Sequence, residues 1–385
     1  MIDVTVCLAI KSYSHLVVGR NLSDIFGDFA SFWNEITQEP QLRWLGPQKG
    51  VVHLAVGAIM NALWDLWAKI EGKPLWKLLV DMEPEKLLSV IDFSYITDAL
   101  SKDEALEILK KGQEGKKERE ADILANGIAA YTTSVAWMGY NDEKIIQLCK
   151  EALADGFKSF KAKVGVSVED DMRRLSLVRR EIGDENKLMV DANQVWDVNQ
   201  AIEWMKPLAK YNLTWIEEPT SPDDVIGHAK IAKALKPLGM GVATGEHCHN
   251  RVMFKQFLQA DALQFCQIDC CRLAGPSEVI SVLLMAAKFG VPVCPHGGGV
   301  GLCEMIQHMA IFDYICVSKT REDRVVEYID HLHEHFVHPV IVKRGSYQAP
   351  TEPGYSTEMK KNSLDQFEYP RGSRWQKLFA DGLFK

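Results

Sequence analysis

From about residue 133 the chain alternates between short apolar or β-branched runs and longer segments whose apolar positions recur every three to four residues. The runs 133–140, 157–164, 187–193, 213–219, 241–246, 262–269 and 292–297 read as seven strands, and an eighth is expected near 324–328. Between them, 169–182, 199–211, 225–235, 251–259 and 277–289 each carry one apolar face at a 3.6-residue period. Strands separated by single amphipathic helices are parallel, because each return must cross over the sheet. Seven or eight such units in about 200 residues favour a (β/α) barrel over an open doubly wound sheet. No G-x-G-x-x-G follows the first strand, which argues against a dinucleotide site.

Upstream, 24–37 and 53–71 read as helices, and V-G-A-I-M-N-A-L-W-D-L-W-A-K is apolar almost all round, so it requires burial. The mixed-charge stretch within 105–126 reads as a solvated helix face. The last fifty or so residues are rich in Pro, Gly, Tyr and Lys and suggest an extended tail that wraps back over the body. Three regions follow: 1–130, a partial and mainly helical cap; 131–335, the barrel with the active site; and 336–385, a C-terminal segment returning to the cap.

Composition changes this picture little and excludes much. The 385 residues are 47% hydrophobic and 25% charged, as in globular chains generally. A net charge of −8 without a basic stripe gives no footprint for nucleic acid. Nine cysteines, two of them adjacent at Cys270 and Cys271 in an apolar stretch, do not form a secreted disulfide framework and point to a reducing, intracellular compartment. No targeting segment is readable, and no run of about 18 uninterrupted apolar residues suggests a membrane partner.

In a parallel barrel, chemistry sits at the carboxyl ends of the strands. Here the strands close on F-K-A-K (Lys161, Lys163), V-D-A-N (Asp191, Asn193), W-I-E-E-P (Glu217, Glu218), T-G-E (Glu246), Q-I-D (Asp269) and P-H-G (His296). From Lys163 to Asp191, Glu217, Glu246, Asp269 and His296 the steps are 28, 26, 29, 23 and 27 residues, one βα unit each. Asp191, Glu217 and Glu246 on consecutive strands can converge on a hard divalent cation. A set without His or Cys suits Mg²⁺ rather than Zn²⁺. Lys163 and His296 would flank a substrate as acid and base, with Asp269 placed to orient the imidazole, an arrangement for removing a proton α to a carboxylate. Glu218 points the other way and is read as structural. H-L-H-E-H at 331–335 lacks zinc spacing and is read as polar surface, and the glycines after His296 as room for a substrate against the backbone.

These motifs, in this order, resemble the enolase superfamily of the mandelate-racemase type. W-I-E-E-P-T-S-P-D-D, C-H-N-R-V and E-Y-I-D-H-L-H-E-H-F narrow the resemblance to its L-fuconate dehydratase group. The resemblance implies a (β/α)₇β barrel, an α/β fold, capped by an α+β domain. It implies Mg²⁺ on Asp191, Glu217 and Glu246, bases at Lys163 and the His296–Asp269 dyad, and Lys161 assisting Lys163. Glu327 and Asn193 would contact substrate. The implied reaction takes the carbon-2 proton of a small acid sugar and eliminates the 3-hydroxyl, giving a 2-keto-3-deoxy acid. A mitochondrial location is implied by the same resemblance, a cytoplasmic one is compatible with the sequence, and so is a homo-oligomer.

The family's cap opens with a small antiparallel sheet and a substrate-closing loop, and the chain is expected to lack that portion. Two alternatives to dehydration therefore stay open: a racemase or epimerase of the same fold, and a non-catalytic binding or regulatory protein.

Overall fold

The structure is a computed structural model describing residues 2–383. Six parallel strands run in sequence order: β1 (Ile128–Ala136), β2 (Ser159–Lys163), β3 (Lys187–Asp191), β4 (Leu213–Glu217), β5 (Gly241–Thr244) and β6 (Phe265–Cys266), and β7 (Val326–Tyr328) pairs in parallel with β1. Segment 292–296 is not a regular strand. It carries the ladder from β6 to β7 through Cys266 N to Pro292 O (2.9 Å), Cys294 N to Cys266 O (2.8 Å), His296 N to Ile268 O (3.0 Å) and Glu327 N to Pro295 O (3.1 Å). The circuit of backbone hydrogen bonds therefore returns to β1.

Side-chain alternation along these strands fixes the site. Tyr131, Met189, Trp215, Ala243, Cys294 and Val325 pack together as a plug of their own, separate from the main core. Two residues further along the corresponding segments come Asp191, Glu217, His296 and Glu327, so the chemistry rests on the plug. Register agrees, with Lys163 opposite Asp191 and Asp191 opposite Glu217.

Four of the crossover helices begin where a small polar side chain caps them. Asn141, Ser167, Asp224 and Asn250 accept from the backbone N–H three residues on. The helices Val225–Leu235 and Arg251–Gln259 have the bounds that periodicity gives. The first strand does not: it begins at Ile128, five residues before the expected run, because 133–140 continues past Ala136 into a loop.

Among the described residues, 2–127 contribute helices and no strand. The expected helix 24–37 is broken at Asp28 (φ −136°, ψ 69°), whose carboxylate caps the second piece, Phe29–Thr37. Likewise 105–126 divides into Lys102–Lys111 and Lys116–Asn126. The helix Gly50–Ile70 is apolar and long enough to span a membrane, yet it lies in the protein core, with Trp64 against Phe29 and Trp67 at 4.9 and 5.0 Å between ring centroids.

The C-terminal segment is not wholly extended. A hairpin of β8 (Val342–Lys343) and β9 (Ser346–Tyr347) adds antiparallel to β1, and Leu75 N and Tyr355 N bond Gly354 O and Asp65 at 2.8 and 2.7 Å. Two further helices, Lys361–Phe367 and Ser373–Ala380, replace the expected coil. Each is about two turns, too short for periodicity to distinguish from a Pro- and Gly-interrupted tail.

Candidate active site

The two lysines of β2 lie at different depths. Lys161, level with Met189 of the plug, is fully buried and pairs with Glu217, with Glu327 Oε1 at 2.7 Å and with Asp191 Oδ2 at 3.7 Å. Burial opposes its charge, but Glu217 and Glu327 outweigh burial and hold its pKa well above the ordinary lysine value. Lys163, two residues nearer the mouth and a quarter exposed, meets Asp191 Oδ2 at 2.5 Å.

Asp191, Glu217 and Glu246 each offer an oxygen, and the three oxygens lie within 4.8 Å of one another. Burial pushes Glu217 up to about 8; Lys161 opposes this, while Asp191, Glu327 and Glu246 add to it. Glu217 Oε2 also accepts from Gln267 Nε2 at 2.7 Å and the Trp215 indole N–H at 3.2 Å. Among the described residues, five carboxylates, counting Asp269 and Glu327, face Lys161, Lys163 and His296, with His247 beside Glu246. The cluster is short of positive charge and presents hard oxygen donors, so its residues fit Mg²⁺.

Across the mouth, His296 Nδ1 lies 2.8 Å from Asp269 Oδ2, and Nε2 lies 3.3 Å from Glu246 and 3.7 Å from Glu327. Burial lowers the imidazole's proton affinity, but Glu327, Asp269 and Glu246 together raise its pKa to about 10. Glu327, on β7, is held at about 2: burial opposes its ionisation, and Lys161 and His296 prevail. It accepts from Gly297 N at 2.8 Å. Asn193 is exposed at the mouth with φ 46°, its backbone N–H on Asp191 Oδ1 at 2.8 Å.

The structure thus brings together eight of the nine residues singled out as candidates, and leaves Asn193 at the rim. Sequence reasoning overlooked Gln194 and His247. His247 Nδ1 lies 3.0 Å from Glu218 and 3.3 Å from Glu246, and Gln194 Nε2 lies 2.8 Å from Glu218. Their signal was position, since each directly follows a strand-end motif. Of the glycines after His296, Gly297 has no room for a side chain, since a Cβ would lie 2.6 Å from Glu327 O; one on Gly298 would lie 2.7 Å from His296 Nε2, and one on Gly299 would meet Leu302 at 3.7 Å. H-L-H-E-H is partly buried rather than surface, because His333 Nδ1 pairs with buried Glu304 at 2.8 Å.

The chain matches the family model "Enolase C-terminal domain-like" over residues 144–363. It is 61% identical to human Mitochondrial enolase superfamily member 1 over 376 residues, 98% of this chain and 85% of that protein. It is 52% identical to L-galactonate dehydratase of Hypocrea jecorina over 375 residues, 96% of this chain and 83% of that one. The crystal structure of the human protein superposes with a TM-score of 0.96, covering 98% of this chain and 85% of the other. L-talarate/galactarate dehydratase from Salmonella typhimurium LT2, liganded with Mg and L-lyxarohydroxamate, gives a TM-score of 0.72 at 23% identity over 96% of this chain and 77% of its own, a likeness of fold.

Proposed function

The chain belongs to the enolase superfamily, and from that premise we propose that it is a Mg²⁺-dependent hydro-lyase converting L-fuconate to 2-keto-3-deoxy-L-fuconate. Its relatives include sugar-acid dehydratases and cycloisomerases. One observation carries the reading: the carboxylate triad lies between Lys163 at Asp191 and His296 at Glu246, two proton-transfer groups on opposite sides of one oxygen-rich cluster.

Asp191, Glu217 and Glu246 would hold the cation, which supplies positive charge to a substrate carboxylate when bound. Lys163 takes the proton from carbon 2. Protonated His296 donates to the 3-hydroxyl, which departs as water, and the resulting enol ketonises to the 2-keto acid. Asp269 keeps the imidazole cationic and oriented. Lys161 neutralises Glu217 and Glu327 beneath the site. The name shared by the matched animal proteins supports a mitochondrial location.

Mass spectrometry of the protein with Mg²⁺ and L-fuconate, and with L-galactonate in parallel, tests the reading. Loss of one water with a new 2-keto group is expected. Unchanged mass with inversion at carbon 2 would instead make it an epimerase, and unchanged substrate would reject catalysis on these acids.

A further inference from the structure

The loop from Asp269 to Gly275 follows β6 and carries the carboxylate that orients His296. It has almost no regular structure of its own, yet its peptide groups are individually held. The peptide joining Cys270 to Cys271 is engaged at both ends: its N–H donates to Asp269 Oδ1 at 2.7 Å, and its carbonyl accepts from Asn61 Nδ2 at 3.0 Å. Four residues on, the Ala274 carbonyl accepts from the Trp33 indole N–H at 3.0 Å, and the Ala274 N–H donates to Glu278 Oε2 at 2.7 Å. Asn61 and Trp33 belong to the helices Gly50–Ile70 and Phe29–Thr37, far from the dyad in sequence.

Contact between helix and loop leaves no room for adjustment. A Cβ on Gly57 would lie 2.8 Å from Leu273 O, and one on Gly275, at φ +80°, would lie 2.6 Å from Met60 Cβ. The helix backbone is thus seated directly on the loop. A peptide plane is rigid, so rotation that releases the Asn61 bond also turns the Cys271 N–H away from Asp269. Both bonds are partly buried and share this one peptide, so its orientation couples them.

We propose that Asn61 is a positioning residue for the His296–Asp269 dyad, acting through the 270–271 peptide, with Trp33 securing the far end of the same loop. The cap helices then set the direction of proton transfer without touching substrate. The inference rests on the proposed role of the dyad, and its primary test is made without substrate.

Asn61→Leu preserves volume and removes the donor. Proton NMR of the Mg²⁺-loaded protein should show the downfield Nδ1–H resonance of His296 shifted or lost, with Trp33→Phe giving a smaller shift. His296→Asn supplies its assignment. With a sugar acid that the native enzyme turns over, kcat per folded site should fall about tenfold to a hundredfold, the size of effect that a misplacement near 1 Å produces, while KM stays within about twofold. A resonance unchanged in both variants would overturn the proposal, as would a loss carried by KM alone. If Asn61→Leu does not fold, Trp33→Phe carries the test. Absence of turnover in the native protein would count against the dehydratase reading, leaving the resonance to decide this one.

Discussion

Asp269 divides its carboxylate between the backbone and His296: Oδ1 accepts from the N–H groups of Cys271 and Arg272 at 2.7 and 2.9 Å, and Oδ2 lies 2.8 Å from His296 Nδ1. The backbone donors fix which oxygen faces the imidazole. His296 is thereby held with Nε2 toward Glu246 and the mouth.

Asp269→Asn should therefore act through the proton on the ring. The amide oxygen must stay on the two backbone donors, which turns the NH₂ toward Nδ1 and demands a neutral imidazole that accepts there. The neutral ring keeps one proton on Nε2, but giving it up would leave an imidazolate, so His296 becomes a far weaker acid toward the leaving hydroxyl than the imidazolium, and kcat should fall by roughly 10³- to 10⁴-fold. Carbon-2 exchange with deuterated solvent, read by NMR, should persist in Asp269→Asn and His296→Asn and vanish in Lys163→Ala. The reverse pattern would interchange the two bases.

The lysines of β2 should separate in stability. Lys161→Met removes the only cation among the described residues that contacts both Glu217 and Glu327 inside the barrel, leaving buried charges uncompensated, and should cost about 3–5 kcal/mol in urea denaturation without Mg²⁺. Lys163→Met should cost less, because the lysine itself is a quarter exposed and buried Asp191 keeps Lys161 at 3.7 Å. Similar losses in the two variants would show that burial does not distinguish them.

Much of this arrangement was legible in sequence because a parallel barrel converts a one-dimensional period into a three-dimensional ring. Lys163, Asp191, Glu217, Glu246, Asp269 and His296 recur once per βα unit and meet for that reason. Glu327 follows the same logic on β7, although neighbouring 292–296 lacks strand regularity. What sequence did not show lies off the period. The depth difference between Lys161 and Lys163 depends on which layer the plug occupies. Gln194 and His247 sit one residue beyond the motifs, and the seating of Gly57 on Leu273 joins segments more than two hundred residues apart.

Glu246→Ala should weaken Mg²⁺ binding measured by calorimetry. The substitution removes one of three oxygen donors while leaving Asp191 and Glu217 in register on β3 and β4, so the residual site is two-sided. An affinity equal to that of the native protein would remove Glu246 from the ligand set.

His308 should make the protein's stability depend on pH in a window set by burial. The ring is fully buried: Nδ1 accepts from Trp76 N at 3.2 Å, and Nε2 faces Ser356 Oγ at 2.9 Å, joining the helix Leu75–Asp81, the helix Leu302–Phe312 and the returning tail. Only the neutral ring with its proton on Nε2 satisfies both contacts, because a second proton on Nδ1 would confront the Trp76 N–H. Burial alone lowers the pKa from 6.5 to about 3. Below pH 6.5 the unfolded chain therefore takes up a proton that the folded chain refuses. Stability from this residue is complete above pH 6.5 and falls as pH drops toward 3, at up to about 1.4 kcal/mol per pH unit. His308→Phe leaves the Trp76 N–H without its acceptor and should be less stable than the native protein at pH 7.5, but its stability cannot depend on protonation here. Urea midpoints at pH 7.5, 6.0 and 5.0 should accordingly converge for the native protein and His308→Phe as the solution is acidified. Parallel curves would show that His308 accepts a proton within the folded protein and that burial does not hold it neutral.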